Sequence, residues 1–593
     1  MIDTLAERFE KEFIDFVLQP GRYIGGEVNE ICKDLAQCDV RIALCFPDVY
    51  EVAMSHTGLA ILYTILNAME GVAAERVFCP WLDAEDVMRH KQLPLFSLES
   101  KIPLNRFDVL AFSLTTELCY TNVLNMLDLG GLPVRSKDRN TTDPLVIAGG
   151  GMANTCEPMA DFIDAFILGD GEQSLEAFVT FVREHRAVER SRQAFLLRAA
   201  QTFEWLYVPC YYESMIRDGR FSEMKTLVPG LSCRRENAIV EDLDQTPSVT
   251  RPLIPHVQAV HERVSVEIMR GCPGRCRFCQ VSFCKRPIRI KQVDTIVEQA
   301  KACYQATGYD TVSLLSLSSA EYPHLHELLE TLQRYFNDKH VGLSVPSLRV
   351  DRQLQHLPQL LNSVRKSGLT IAVEAASERL RRMINKPICD EDLIEAALAS
   401  YRAGWLRLKL YFIVGFPGET DEDIEHIVDL SWHLARRRKE VDGRTAQISV
   451  AISWLVPKPH TPMGWFGQKS RAYFEHARQC ILDRKYHLKA RSLTFKFHDI
   501  DNSVLESALG RGDRRLGDVI ETAWRLGARF DLWSECFDSE RWRNAFRKNH
   551  LDMDELATQS YSPIHPLPWE HLGGPDKKQI VSHYQDMFKN IPA

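Results

Sequence analysis

Two separate runs of alternating apolar strand and amphipathic helix, one on each side of a proline-marked connector, limit what this chain can fold into. In the first run, segments 40–46, 107–113, 144–148 and 164–168 are short and apolar, with helical stretches between them. In the second, segments 264–269, 311–317, 341–345, 369–374, 408–414 and 448–456 alternate with helical patterns such as 293–306, 396–403 and 422–437. Such alternation predicts parallel sheets with helical crossovers. Six units without a seventh and eighth predict a partial barrel, whose chemistry belongs at the carboxyl ends of its strands. Pro247, Pro252 and Pro255 stiffen the approach to the second run. The expected division is an N-terminal extension 1–39, a Rossmann-like α/β domain 40–172, a connector 173–260 with a helix and short strands, a barrel 261–469 and a mainly helical segment 470–593.

At 593 residues the chain is too long for one ordinary core. Apolar residues make up 45% and charged residues 26%, and no apolar stretch approaches the length of a membrane span. The charged start Met1-Ile-Asp-Thr-Leu-Ala-Glu-Arg8 lacks the apolar core of an export signal, so a cytoplasmic protein is expected. Sixteen scattered cysteines without such a signal read as free thiols rather than disulfides. A net charge of −8 argues against a broadly basic nucleic-acid surface. Arg275, Arg277, Lys285, Arg286, Arg289 and Lys291 nevertheless crowd one short stretch, either as a solvated rim or as an anion site.

That stretch contains Arg270-Gly-Cys-Pro-Gly-Arg-Cys-Arg-Phe-Cys-Gln280, in which Cys272, Cys276 and Cys279 supply three thiolates and no fourth. Cubane iron-sulfur clusters take four cysteines, so three leave one iron open to a further ligand. Zinc ribbons need a second ligand pair, which the chain does not offer. The strand ends of the first run also lead into small or polar residues: Ser113-Leu-Thr-Thr-Glu117, Gly149-Gly-Gly151 and Gly169-Asp-Gly-Glu172. In open α/β sheets the crevice beyond such ends is where ligands sit.

The Cys-x3-Cys-x-Phe-Cys loop resembles the signature of the radical S-adenosylmethionine (SAM) superfamily, and the first run resembles the cobalamin-binding-type domain that precedes it in one subgroup. The resemblance implies a [4Fe-4S] cluster on Cys272, Cys276 and Cys279, with SAM on the open iron and reductive cleavage to methionine and a 5'-deoxyadenosyl radical. It further implies SAM contacts from Phe278, Ser318, Ser319, Glu321, Arg349, Glu374, Ile413 and Val414. If cobalamin binds, it would meet Ser113, Thr115, Glu117, Gly149, Gly150, Gly151, Gly169, Gly171 and Glu172. The Asp-x-His-x-x-Gly motif that ligates cobalt in several cobalamin proteins is absent, and His56 reads as a loop or capping histidine.

The same resemblance implies an enzyme, with methylation of an unactivated carbon as the favoured reaction. A low-potential donor such as a flavodoxin or ferredoxin and an unidentified small-molecule or RNA substrate would be its partners. A methylthiotransferase-like enzyme is the alternative, although Cys32, Cys38, Cys45, Cys79, Cys119 and Cys156 offer no convincing second cluster. A non-enzymatic iron-sulfur sensor would need the cysteines alone.

Overall fold

A computed structural model describes residues 5–186, 188–189, 191–345 and 369–589. The N-terminal sheet consists of β1 (Val40–Phe46), β2 (Val72–Phe78), β3 (Val109–Ser113), β4 (Leu145–Gly149), β5 (Ala165–Ile167) and β6 (Leu206–Tyr207), ordered β2-β1-β3-β4-β5-β6. All neighbours are parallel except β5 and β6. Near-continuous apolar runs with helical crossovers produce this arrangement, since parallel strands are covered on both faces.

β2 departs from the sequence expectation, which places no strand at 72–78. Its Glu75 and Arg76 break the apolar pattern, yet every residue of the strand is buried. The Arg76 guanidinium is satisfied by Glu27 at 2.7 Å, Glu30 at 2.7 Å and Glu99 at 2.6 Å. A buried charge is tolerated when paired in this way, and two of the partners come from the segment before β1.

A hairpin of β7 (Tyr212–Arg217) and β8 (Arg220–Thr226) comes next. The second α/β unit has β9 (Val264–Glu267), β12 (Thr311–Leu315) and β13 (Gly342–Ser344) in one parallel sheet, ordered β13-β12-β9. Between β9 and β12, β10 (Met269–Arg270) and β11 (Arg289–Ile290) pair antiparallel and clasp the ends of the cysteine segment. A further parallel sheet holds β14 (Leu369–Glu374), β15 (Arg407–Val414), β16 (Gln447–Trp454) and β17 (Leu493–Phe497) in that order. β17 is a seventh strand that the sequence pattern does not announce; it lies within the otherwise helical 470–593 segment and pairs with β16.

The helices Ile500–Gly510 and Leu516–Arg525, with the loops that flank them, return to the N-terminal unit, and Ser539–Lys548 packs on both of them. Trp533 Nε1 donates to Asp48 at 3.0 Å, Thr121 Oγ1 donates to Asp531 at 2.8 Å, and Arg514 pairs with buried Glu157 at 3.2 Å. The last described helix, Lys577–Phe588, brings Met587 against Met383, Ile384 and Phe416, a cluster on which Phe278 of the cysteine loop also packs.

Candidate functional site

The three cysteines sit in a loop that begins where the first barrel strand ends. Arg277 N–H donates to Ile384 O at 2.9 Å and its guanidinium to Met383 O at 2.5 Å, while Asn385 Nδ2 donates to Arg275 O at 2.9 Å. The loop is thus tied to the end of the helix Glu378–Met383, which follows β14. Cys279 begins the short helix Gln280–Cys284. All sixteen cysteines are free of disulfides. Cys45, Cys119 and Cys156 are fully buried, and burial raises each thiol's pKa, to about 12 for Cys119, so they stay protonated.

Phe278 and Ile413 share the apolar cluster built on Phe416 and Leu455, with the Phe278 and Phe416 rings 6.2 Å apart. Val414 faces the other way: alternation along β15 turns its side chain to the opposite face, where it is buried in the main core. Ser318 and Ser319 are buried at the end of β12; Ser319 Oγ lies 3.0 Å from Ser316 Oγ, whereas Ser318 Oγ has no hydrogen-bond partner among the described residues. An orphaned buried hydroxyl is costly unless a ligand satisfies it. Glu321 closes the one-turn helix Ser319–Glu321 on the same loop. Arg349 lies outside the described residues.

Glu374 ends β14 at a register shift and has φ +68°, a conformation rare for a non-glycine residue. Its Oε1 accepts from buried Lys386 Nζ at 2.9 Å, which also donates to Ala372 O at 2.6 Å. The bulge re-aims the carboxylate, and such local distortion is typical of functional strand ends.

One cavity of about 490 Å³ joins the two α/β units. From the N-terminal sheet it is lined by Ser113, Thr115, Gly149, Gly150, Gly151, Gly169, Gly171 and Glu172. From the barrel come Glu267, Met269, Arg270, Gly271, Val281, Lys285 and the loop Leu315-Ser-Leu317. Eight of the nine residues expected in the first crevice therefore face one space, together with the residues immediately before Cys272. Two glycines are required by backbone: Gly150 has φ +101° and Gly169 φ +94°, and a Cβ on Gly169 would stand 2.2 Å from Ala238 O.

Glu117 is the exception. It is fully buried and turned toward Lys458 Nζ, 3.1 Å away, which also meets Glu506 at 2.7 Å. Burial raises its pKa against the pull of Lys458. The carboxylate is committed to a long-range ion pair and does not line the cavity.

Sequence reasoning misses the charged seam at the cavity wall. Arg270 donates to Glu172 at 2.6 Å and to Glu267 at 2.8 Å, and stands 3.4 Å from Asp170. Asp170 also receives Arg289 and lies 3.5 Å from Lys285. Burial would raise the Asp170 pKa, but Lys285, Arg270 and Arg289 outweigh it and hold the carboxyl below its ordinary value. Much of the basic stretch is therefore spent inside the protein: Lys291 is buried against Ser248 and Gln299, and Arg286 is turned onto the loop. The signal available is the position of Arg270, directly before Gly271-Cys272.

His56 also lines the cavity and caps the helix Thr57–Ala68, its Nδ1 accepting from Leu59 N–H at 3.1 Å. Burial lowers its pKa, so it is neutral with the proton on Nε2. No helix among the described residues is long and apolar enough to cross a membrane.

An uncharacterized protein of Methanocaldococcus jannaschii is 25% identical over 439 residues, 73% of this chain and 84% of the relative. A ribosomal protein uS12 methylthiotransferase RimO from Crocosphaera subtropica is 24% identical over 307 residues, 47% of this chain and 65% of the relative. Among solved structures, the radical S-adenosylmethionine methyltransferase TsrM from Kitasatospora setae, with cobalamin and a [4Fe-4S] cluster bound, is 15% identical. It covers 72% of this chain and 77% of its own, with a TM-score of 0.49. The family described as radical SAM proteins, N-terminal, matches residues 58–209, and the radical SAM superfamily matches residues 266–431. With these two matches following one another over more than half of its length, the chain belongs to the radical SAM superfamily.

Proposed function

We propose that this radical SAM enzyme uses a [4Fe-4S] cluster held by Cys272, Cys276 and Cys279, and that it modifies an unactivated carbon with a corrinoid in the joint cavity, methylation being the favoured outcome. The observation that carries this reading is the cavity itself. It places the glycine-lined strand ends of the N-terminal sheet opposite the barrel residues that lead into the cysteine loop. The donor set fits the cluster: three unbridged thiols on one loop, backed by the apolar Phe278–Phe416 wall.

When bound, the cluster and SAM supply a carbon radical able to abstract hydrogen. The chain's own residues bind and orient. Ser318 offers a hydroxyl unspent among the described residues, Glu374 an acceptor turned by its bulge, and Phe278 with Ile413 an apolar face for an adenine. Ser319 and Glu321 lie on the same loop as Ser318, and Arg349 completes the set on sequence grounds. Gly149, Gly150, Gly151, Gly169 and Gly171 permit close approach of a large planar ligand, with Ser113, Thr115 and Glu172 at its edge. His56, with its acceptor nitrogen spent on Leu59, donates to the cavity rather than ligating a metal. A low-potential one-electron donor and an organic substrate are the partners this chemistry requires.

Anaerobic reconstitution and then dithionite reduction with SAM tests the reading. We expect 5'-deoxyadenosine from the wild type and none from Cys276→Ala, and corrinoid absorbance that survives gel filtration. Intact cluster without SAM cleavage would sink the enzymatic reading; cleavage without corrinoid retention would sink the cobalamin part alone. A methylthiotransferase activity is the second reading, favoured by the similarity to RimO. Against it, Cys45, Cys79, Cys119 and Cys156 are buried, whereas Cys32 is exposed, so these thiols form no common site among the described residues.

A further inference from the structure

We infer that Arg286 is a positioning residue for the cysteine loop and that its charge raises the reduction potential of whatever cluster the loop holds. The inference rests on the cluster reading above. One guanidinium nitrogen, Nη2, reaches the carbonyls of three successive loop residues: Cys272 at 3.0 Å, Pro273 at 3.3 Å and Gly274 at 3.2 Å. Nε donates to Ser282 O at 2.8 Å, on the helix just after Cys279. Arg286 therefore clips the first cysteine's backbone to the helix beyond the third.

This geometry separates Arg286 from Arg289 and Lys285. Arg289 and Lys285 face Asp170, so their charge is matched by a carboxylate. The hydrogen bonds of Arg286 among the described residues go to neutral carbonyls alone, which leaves a net positive charge fixed against the loop. Three cysteine thiolates concentrate negative charge there, and one-electron reduction adds another. A fixed cation stabilises the reduced state more than the oxidised one, and cluster potentials respond to such local charge and hydrogen bonding. A lysine keeps the charge but lacks the planar fork that spans the carbonyls.

The test is a redox titration monitored by electron paramagnetic resonance on the full-length reconstituted wild type, Arg286→Lys and Arg286→Gln, with iron and sulfide measured in each. We expect a more negative midpoint for Arg286→Gln and a midpoint near the wild type for Arg286→Lys. Both variants should lose cluster faster than the wild type under a chelator, because both lack the fork. A cluster-loaded Arg286→Gln protein with an unchanged midpoint overturns the inference. If the glutamine variant cannot hold a cluster, the lysine variant decides, and a midpoint displaced as far as that of a mock neutral site, Arg286→Met, overturns it. Absence of a cluster from the wild type would instead remove the reading beneath it, and this inference with it.

Discussion

Glutamine in place of Glu419 should abolish a loss of stability that the wild type suffers as pH rises. Glu419 comes just after the turn that ends β15, and its Oε2 accepts from Gly415 N–H at 2.6 Å and from the Tyr473 hydroxyl at 2.7 Å. Burial pushes its pKa from the ordinary 4.5 up to about 7, with Asp423 adding to the rise and the two hydrogen bonds and Lys469 opposing it. The folded protein thus holds this proton more tightly than the unfolded chain. Below about pH 4.5 both states are protonated and the group has no effect. Between 4.5 and about 7 the unfolded chain releases the proton first, so stability falls as pH climbs, and above that range the deficit is constant. At ~1.4 kcal/mol per pH unit the full deficit is about 3.5 kcal/mol. Between pH 5.5 and 8.5 the wild type should lose about 2 kcal/mol that Glu419→Gln does not lose, since the amide keeps an acceptor for both donors. Urea unfolding of the two anaerobic holo-proteins at each pH, fitted transition by transition, measures the gap. A gap that stays constant between pH 5.5 and 8.5 would refute the argument.

Three other outcomes are expected at the site. Arg270→Met leaves Glu172 and Glu267 without their shared cation, and should cost about 3–5 kcal/mol in thermal denaturation, the scale for breaking a buried pair. Lys386→Met frees Glu374 Oε1 and should weaken SAM binding in calorimetry while also lowering the melting temperature; unchanged affinity would mean that Glu374 does not touch the ligand. Gly169→Ala drives a Cβ to 2.2 Å from Ala238 O at a left-handed φ, and should destabilise the N-terminal unit by more than about 1 kcal/mol and reduce retained corrinoid absorbance.

Local pattern is what makes part of this molecule legible in its chain. The strands β1, β3, β4 and β5, the cysteine loop after β9 and the glycine-rich strand ends all carry their signal within a few residues. β2 does not, because Glu75 and Arg76 look solvated until Glu27, Glu30 and Glu99 arrive from distant segments. β17 is hidden by the helical sequence around it and by Thr494 and Lys496, which face outward. The neighbours Ser113 and Thr115 point Glu117 to the crevice, but the turn Glu117–Cys119 sends its carboxylate to Lys458, 341 residues away. Adjacency pairs Val414 with Ile413, and a period of two separates adjacent residues onto opposite faces. The placements of β2, β17 and Glu117 are fixed by tertiary packing, which no local window contains.

The bonds from the C-terminal segment to the N-terminal unit also impose an order on the birth of the molecule. Asp48 and Trp533 are 485 positions apart. At ribosomal speeds of ~5–20 residues per second, the first sheet must wait roughly 25–100 s for that partner to be made. Throughout that interval, the surface later covered by Trp533 and Asp531 faces water or a chaperone. The N-terminal unit is thus closed by a segment made long after it, and a chain cut short before Asp531 would leave that surface open.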